Sequence, residues 1–328
     1  MSRSSPGLPI NSSGHGRWWT FIGIILPCVA VLIAATTFAQ APSDVLQDNP
    51  VADQEPITPI PALPDADPLK LALGERLFSD TRLSADGTLA CSSCHDLRTN
   101  GARPNTGAVS RPFDTPTVFN ALLNFRLNWE GNFRSPAAQV VSALENPVNM
   151  RTSVGEVVRR LNADPAIVDQ FLAAYGGKPS GERLLDAIVT FEKSLLTPGG
   201  RFDRWLGGDR SALSAAELEG YRQFKSLGCS ACHQGVGVGG NLFERQGIFH
   251  PLVRGPPETV RVPSLRNVAT TAPYFHDGSA ATLDEAVRRM AAAQLDRTLT
   301  DQQVESLVAF LRTLTGNYRG SPVVGAAP

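Results

Sequence analysis

Histidine and methionine are scarce in this chain: of 328 residues, 5 are His and 3 are Met. Any metal held through imidazole or thioether therefore draws on a very short set of donors. An excess of charge is missing too. Lys and Arg number 30 against 31 Asp and Glu, a net charge of −1, which leaves no basic field to gather nucleic acid. Alternating apolar patterns and hairpin dipeptides are rare, which disfavours a sheet-based fold. Apolar residues at 42% and charged residues at 19% exclude a disordered or fibrous chain.

What is present begins with an export segment. Arg3 and Arg17 supply positive charge, residues 18–35 are apolar without one charged side chain, and Ala39-Gln40-Ala41 offers a small-residue cleavage pattern. Residues 1–41 thus read as a signal peptide or an N-terminal membrane anchor, cleavage being favoured although Pro42 is a poor neighbour for it. The expected destination is the periplasm. Cys28 is a small apolar residue within that stretch. Residues 42–65, rich in Pro, Asp and Ala, read as a flexible linker. Folded sequence starts near Pro68, and helical spacing predicts helices over 71–78, 137–144, 154–161, 165–175, 181–195, 215–227, 282–293 and 301–314. The expected fold is all-α with long irregular loops. The turn Thr197-Pro198-Gly199-Gly200 divides residues 66–198 from residues 199–317, and residues 318–328 form a tail.

The four other cysteines stand in two copies of one pattern, Cys91-Ser92-Ser93-Cys94-His95 and Cys229-Ser230-Ala231-Cys232-His233. C-x-x-C-H is the attachment signature of haem c: the thiols form thioethers with the porphyrin, and the His ligates the iron. A redox dithiol does not need the His, and a zinc site would tolerate another residue there. Two intact copies in an exported chain set those readings and a disulfide pairing aside. Two haems c are expected, with His95 and His233 as iron ligands.

Each iron has a second face. Outside the motifs the chain offers His15, His250 and His276, with Met1, Met150 and Met290. Met290 lies in a helical stretch ahead of the last amphipathic helix and suits the iron on His233; the plain alternative is core packing. A His/Met pair raises the potential and suits electron transfer. No His or Met lies between His95 and Met150, so the first iron keeps an open face where peroxide or oxygen can bind. Met150 is the one nearby side chain able to close it, and His250 reads as an exposed loop residue.

Several stretches carry a resemblance: Leu73-Gly74-Glu75-Arg76-Leu77-Phe78, Asp80-Thr81-Arg82-Leu83-Ser84, Thr115-Pro116-Thr117-Val118-Phe119-Asn120-Ala121 and Arg201-Phe202-Asp203-Arg204-Trp205-Leu206. The most specific are Val262-Pro263-Ser264-Leu265-Arg266-Asn267-Val268 and Thr271-Ala272-Pro273-Tyr274-Phe275-His276-Asp277-Gly278. With them, residues 66–317 resemble the bacterial dihaem cytochrome c peroxidase and MauG superfamily. The resemblance implies two cytochrome c-like domains, each with one covalent haem c: an N-terminal peroxidase haem and a C-terminal electron-transfer haem. It implies Met290 as distal ligand of the second haem, Trp129 as the tryptophan between the haems, and Gln139 as the peroxide-pocket glutamine. It also implies a calcium ion between the domains on Asp114, where the family usually has Asn, with the backbone oxygens of Thr271 and Pro273. His276 is implied as a structural or propionate-binding residue, whereas Trp205 reads as a core aromatic.

The chain departs from the family's pattern in three places. Thr106 stands where classical peroxidases have the histidine that closes the first haem at rest, which implies a haem open at rest, as in MauG. Asn149 stands where the pocket glutamate is found, and an amide cannot shuttle the proton that O–O cleavage needs. Met290 is kept where MauG has a tyrosine. The leading expectation is reduction of hydrogen peroxide with electrons from a small periplasmic donor, a monohaem cytochrome c or a cupredoxin. The alternatives are MauG-like oxidation of a partner protein's side chain and a non-catalytic dihaem electron carrier. Members of the family often dimerise, which leaves a homodimer open here, although no stretch marks an interface.

Overall fold

The computed structural model describes residues 54–104, 113–253 and 257–326; the export segment with Cys28, and Thr106, lie outside the described residues. Helix starts follow from local chemistry, because a Ser, Thr or Asp side chain can accept from the first unpaired N–H groups. Asp67 caps α1 (Pro68–Phe78), Ser135 caps α2 (Pro136–Glu145), Ser153 caps α3 (Val154–Asn162), and Asp164 caps α4 (Pro165–Tyr175). Ser180 caps α5 (Gly181–Lys193), and the short α6 (Arg201–Leu206) follows without a side-chain cap. Ser214 with Glu217 and Thr300 with Gln303 form reciprocal caps on α7 (Ala215–Ser226) and α9 (Asp301–Arg312), while Thr282 caps α8 (Leu283–Leu295). The helical expectation holds, with two small additions. β1 (Phe243–Arg245) pairs antiparallel with β2 (Thr259–Arg261), and β3 (Asn317–Tyr318) with β4 (Ser321–Pro322). Strands of two or three residues are too short to show alternation in sequence.

One helix crossing occurs twice. Gly74 of α1 lies against the carbonyl of Ala187 in α5, and Gly220 of α7 lies against the carbonyl of Ser306 in α9; a Cβ at either glycine would collide with that oxygen. One turn on, Phe78 meets Phe191 at a centroid distance of 5.3 Å, and Phe224 meets Phe310 at 5.1 Å. The internal repeat of the sequence is thus a repeated packing unit in one register. Leu73, Leu77, Val157, Phe171 and Ile188 belong to the core around the first crossing; Phe202, Tyr221, Val304 and Phe310 belong to that around the second.

The Thr197 turn, expected to divide the chain, is tied from both sides. The Thr197 N–H donates to Asn120 Oδ1 at 2.9 Å, and the amides of Asn120 and Asn267 donate to Thr197 Oγ1 at 2.8 and 3.0 Å. Both asparagines take left-handed backbone angles, φ 59° and 61°, which Asn tolerates better than most residues. Each opens a single 3-10 turn, Ala121–Leu123 and Val268–Thr270.

Two expectations need correction. Residues 55–60 of the supposed linker are fixed: Glu55 accepts from the Tyr221 hydroxyl at 2.5 Å and from Lys225 Nζ at 2.8 Å, and Ile57 and Ile60 are buried. The Pro56 carbonyl accepts from the Gly235 N–H at 2.7 Å, and that of Thr58 from Arg266 Nη2 at 2.8 Å. The first part of the supposed tail is also seated. Tyr318 packs on Phe119 at 4.8 Å, Arg319 pairs with Glu75 at 2.6 Å, and Val323 is buried.

Two candidate haem sites and the wall between them

Both C-x-x-C-H segments fold as a single 3-10 turn in the lining of a cavity. In the first, Cys91–Ser93 forms the turn, the Ser93 hydroxyl accepts from the Ala90 N–H at 2.9 Å, and the His95 N–H donates to the Cys91 carbonyl at 2.9 Å. In the second, Gly228 at φ 96° leads into Cys229–Ala231, and the His233 N–H donates to the Cys229 carbonyl at 3.0 Å. His95 Nδ1 lies 3.0 Å from the Gly101 carbonyl and His233 Nδ1 lies 3.3 Å from that of Val238. A carbonyl partner demands a proton on Nδ1, so in each ring Nε2 carries the lone pair with which a metal could be held. Burial pushes the His233 pKa down to about 4, so the imidazole is neutral, the form that binds a metal. None of the four cysteines is in a disulfide, and each pair lines its own cavity.

The N-terminal cavity brings together Cys91, Cys94 and His95 with Gln139 of α2, Asn149 and Met150. Met150 also belongs to the hydrophobic core with Leu73, Leu83 and Val140. The C-terminal cavity brings together Cys229, Cys232 and His233 with Met290 of α8 and Trp129. His250 lines neither; it is exposed, 2.9 Å from Asp296. Trp205 stacks on Phe202 at 5.5 Å within the core, as expected of a packing aromatic.

The cavities share a wall: residues 114–117, Ala121, Asn124 and Arg261 line both. Trp129 faces the C-terminal cavity while its neighbour Asn128 lines the N-terminal one. The Trp129 indole N–H donates to the Asp114 carbonyl at 2.9 Å, and the Trp129 carbonyl accepts from the Arg261 N–H at 3.0 Å. His276 is buried, edge-on to Phe113 at 4.8 Å and to Trp129 at 6.4 Å, and its carbonyl accepts from the Asp114 N–H at 2.8 Å. Burial lowers the His276 pKa against the opposing pull of Asp277 and Asp114. Thr271 and Pro273 line the C-terminal cavity, and the Asp114 carboxylate and the Pro273 ring both lie close to Gly278. Among the described residues no three His, Cys, Asp or Glu side chains cluster as a metal site.

The family model described as di-haem cytochrome c peroxidase matches residues 68–211, and that of cytochrome c matches residues 218–315. The cytochrome c551 peroxidase of Nitrosomonas europaea is 38% identical over 81% of this chain and 86% of its own. The chain belongs to the bacterial dihaem cytochrome c peroxidase family. Within that family it is also 32% identical to the methylamine utilization protein MauG of Methylorubrum extorquens, over 76% of this chain and 80% of that one. A solved MauG-like protein associated with microbial copper homeostasis superposes with a TM-score of 0.67 at 27% identity, covering 79% of this chain and 93% of that one.

The family's two haems c fit the residues present. Each cavity pairs two thiols with an imidazole whose tautomer is set, and a Cβ at Gly239 would press on both the Pro263 carbonyl and His233 Nδ1, so the chain there is shaped around the histidine. Two features of the cavities escaped sequence reasoning. Arg261 is buried in the shared wall, where burial lowers its pKa to about 10. Glu192 of α5 lines the N-terminal cavity, where burial raises its pKa to about 7. Neither belongs to a spacing motif, and only the folded cavity gives them meaning.

Proposed function

We propose that this protein is a peroxidase-type oxidoreductase that reduces hydrogen peroxide at the N-terminal site, with electrons entering through the C-terminal site. The observation that carries the proposal is the asymmetry of the cavities. His233 has Met290 in the same cavity, whereas among the described residues lining the other cavity His95 is the only imidazole and Met150 is engaged in the core. Bound haem c supplies a redox iron that can take a ligand and pass single electrons. Per peroxide, two electrons and two protons are consumed and two waters leave. The Gln139 amide has the donors and acceptor to orient a peroxide in the cavity, and Asn149 can hydrogen-bond there without acting as acid or base. Trp129 and Arg261, held by the wall, lie on the route between the sites. A calcium ion on the Asp114 carboxylate and the Thr271 and Pro273 carbonyls would brace that wall.

The electron donor would be a monohaem cytochrome c or a cupredoxin in the periplasm. Asn149 favours a second reading, in which the oxidising equivalents go to a side chain of a partner protein, because at this position an amide replaces the carboxyl that can act as a general acid.

Electron paramagnetic resonance of the resting ferric holoprotein tests the proposal. One high-spin and one low-spin haem are expected, followed by peroxide consumption with a reduced monohaem cytochrome. Two low-spin haems that stay low-spin after half-reduction would overturn it and leave an electron carrier. An open haem that reacts with peroxide yet draws no electrons from small donors would favour the partner-protein reading.

A further inference from the structure

The doubled helix crossing permits a comparison seat by seat. Gly74 against Ala187 corresponds to Gly220 against Ser306, and the pair Phe78 and Phe191 to the pair Phe224 and Phe310. One turn before the second phenylalanine, Ile188 and Leu307 line their respective cavities. One residue after it, α9 carries Leu311 and α5 carries Glu192, and these too line the two cavities. The same seat is therefore a leucine in the electron-transfer half and a carboxyl in the half that would meet peroxide. A packing role alone would be served by leucine in both.

The Glu192 carboxyl has no hydrogen bond and no ion pair among the described residues, and burial alone acts on it. The charges on the helices packed against α5 are directed elsewhere. On α1, Lys70 pairs with Asp186 and Glu75 with Arg319; on α3, Glu156 holds Arg159 and Arg160. Arg76 of α1, Glu145 of α2 and the neighbouring Lys193 exert no resolved pull on Glu192. On the motif turn it is Glu192 that acts on Cys91, helping to raise the pKa of that thiol, a group that thioether formation removes from titration. Cys94, His95, Asp114 and Arg261 complete the ionisable lining of the cavity, and none of them shifts Glu192. A half-buried carboxyl so placed is open to the charge that arrives in the cavity, which a partly desolvated setting transmits more strongly than bulk water does.

We propose that Glu192 is the proton-carrying group of the N-terminal haem site: one electron arriving there draws one proton from solvent onto the Glu192 carboxylate, and departure of the electron releases it. The electron comes from the donor class named above. During peroxide reduction Glu192 then supplies one of the two protons consumed, and solvent the other. The inference rests on a redox haem being attached at Cys91 and Cys94; it does not depend on which oxidant is used.

Spectroelectrochemical titration of the full-length dihaem protein over about pH 6 to 8, the interval around the ionisation of a buried carboxyl of this kind, tests it. The midpoint potential of the N-terminal haem is expected to fall as pH rises, because reduction needs a proton. In Glu192→Gln that slope is expected to shrink at least threefold, with the potential held near the wild-type value at low pH. The C-terminal haem, with Leu311 in the matching seat, keeps its own slope in both proteins. An unchanged N-terminal slope in Glu192→Gln overturns the proposal, even if peroxide turnover is intact. Should Glu192→Gln fail to mature, the reduced-minus-oxidised infrared spectrum of the wild type decides. A protonated-carboxyl band that appears on reduction and shifts in heavy water supports Glu192, and its absence overturns the proposal.

Discussion

In the proposed function, Asn149 and Met290 set the character of the two sites from single positions. Asn149 lines the N-terminal cavity with Gln139, and its amide neither gives nor takes a proton at working pH. Asn149→Glu is therefore expected to speed the reaction with peroxide by roughly 10²–10⁴-fold, the usual worth of a general acid–base, as read by stopped-flow absorbance. An unchanged rate would show that this position is off the proton path. Met290 shares the other cavity with His233. Met290→Ala is expected to convert the low-spin haem to a second high-spin one in the resonance spectrum; retention of the low-spin signal would assign the ligand to another residue. At this scale the sequence was most legible where chemistry demands fixed spacing, as in Cys91, Cys94 and His95. It was silent where function depends on the company a residue keeps. Glu192 is one of many glutamates until α5 turns it into a cavity.

The helices follow from capping and periodicity, but their contacts follow from residues that look unremarkable in a string. Gly74 and Gly220 matter because α1 and α7 press against the carbonyls of α5 and α9. Gly220→Ala is expected to cost about 1–3 kcal/mol of stability through forced separation of the pair, measured by denaturant unfolding followed by circular dichroism. Asp203 of α6 and Arg266 form an ion pair at 2.7 Å, with side-chain exposures of 6% and 1%. Arg266 spends its other donors on the Val236 and Thr58 carbonyls, both at 2.8 Å. Burial pushes the Asp203 pKa up while Arg266 opposes it. Asp203→Ala strands the guanidinium and is expected to cost about 3–5 kcal/mol in the same assay. This pair gives physical content to two of the family-like stretches, which in sequence were only strings. α6 was not foreseen as a helix because its six residues hold less than two turns of pattern. The segment 55–60 does not look like folded chain in sequence because Ile57 packs into the C-terminal core and the Ile60 N–H donates to Asp203, both far away in the chain.

Across the whole molecule the two halves are joined by Asn120, Thr197 and Asn267 and by the wall around Asp114. The calcium ion proposed for that wall leads to a prediction for the intact protein. Chelation is expected to lower the thermal midpoint and to perturb the spectra of both haems together, with Asp114→Ala giving the same effect. Elemental analysis showing no bound calcium, or chelation altering only one haem, would remove the ion from the account. Two repeated halves could be read from the duplicated motif, since each copy is local. That they share residues 114–117 and Arg261 could not, because a common wall exists only after both halves have closed.

That common wall also bears on how the protein matures. Each pocket borrows part of its lining from the other, so a chain that received only one porphyrin would be poorly packed on both sides of the partition. A bound cofactor stabilises only the native state, and here each one would do so for both halves at once. Loading should thus behave as a single event in which fully equipped molecules accumulate and half-equipped ones are cleared by proteolysis.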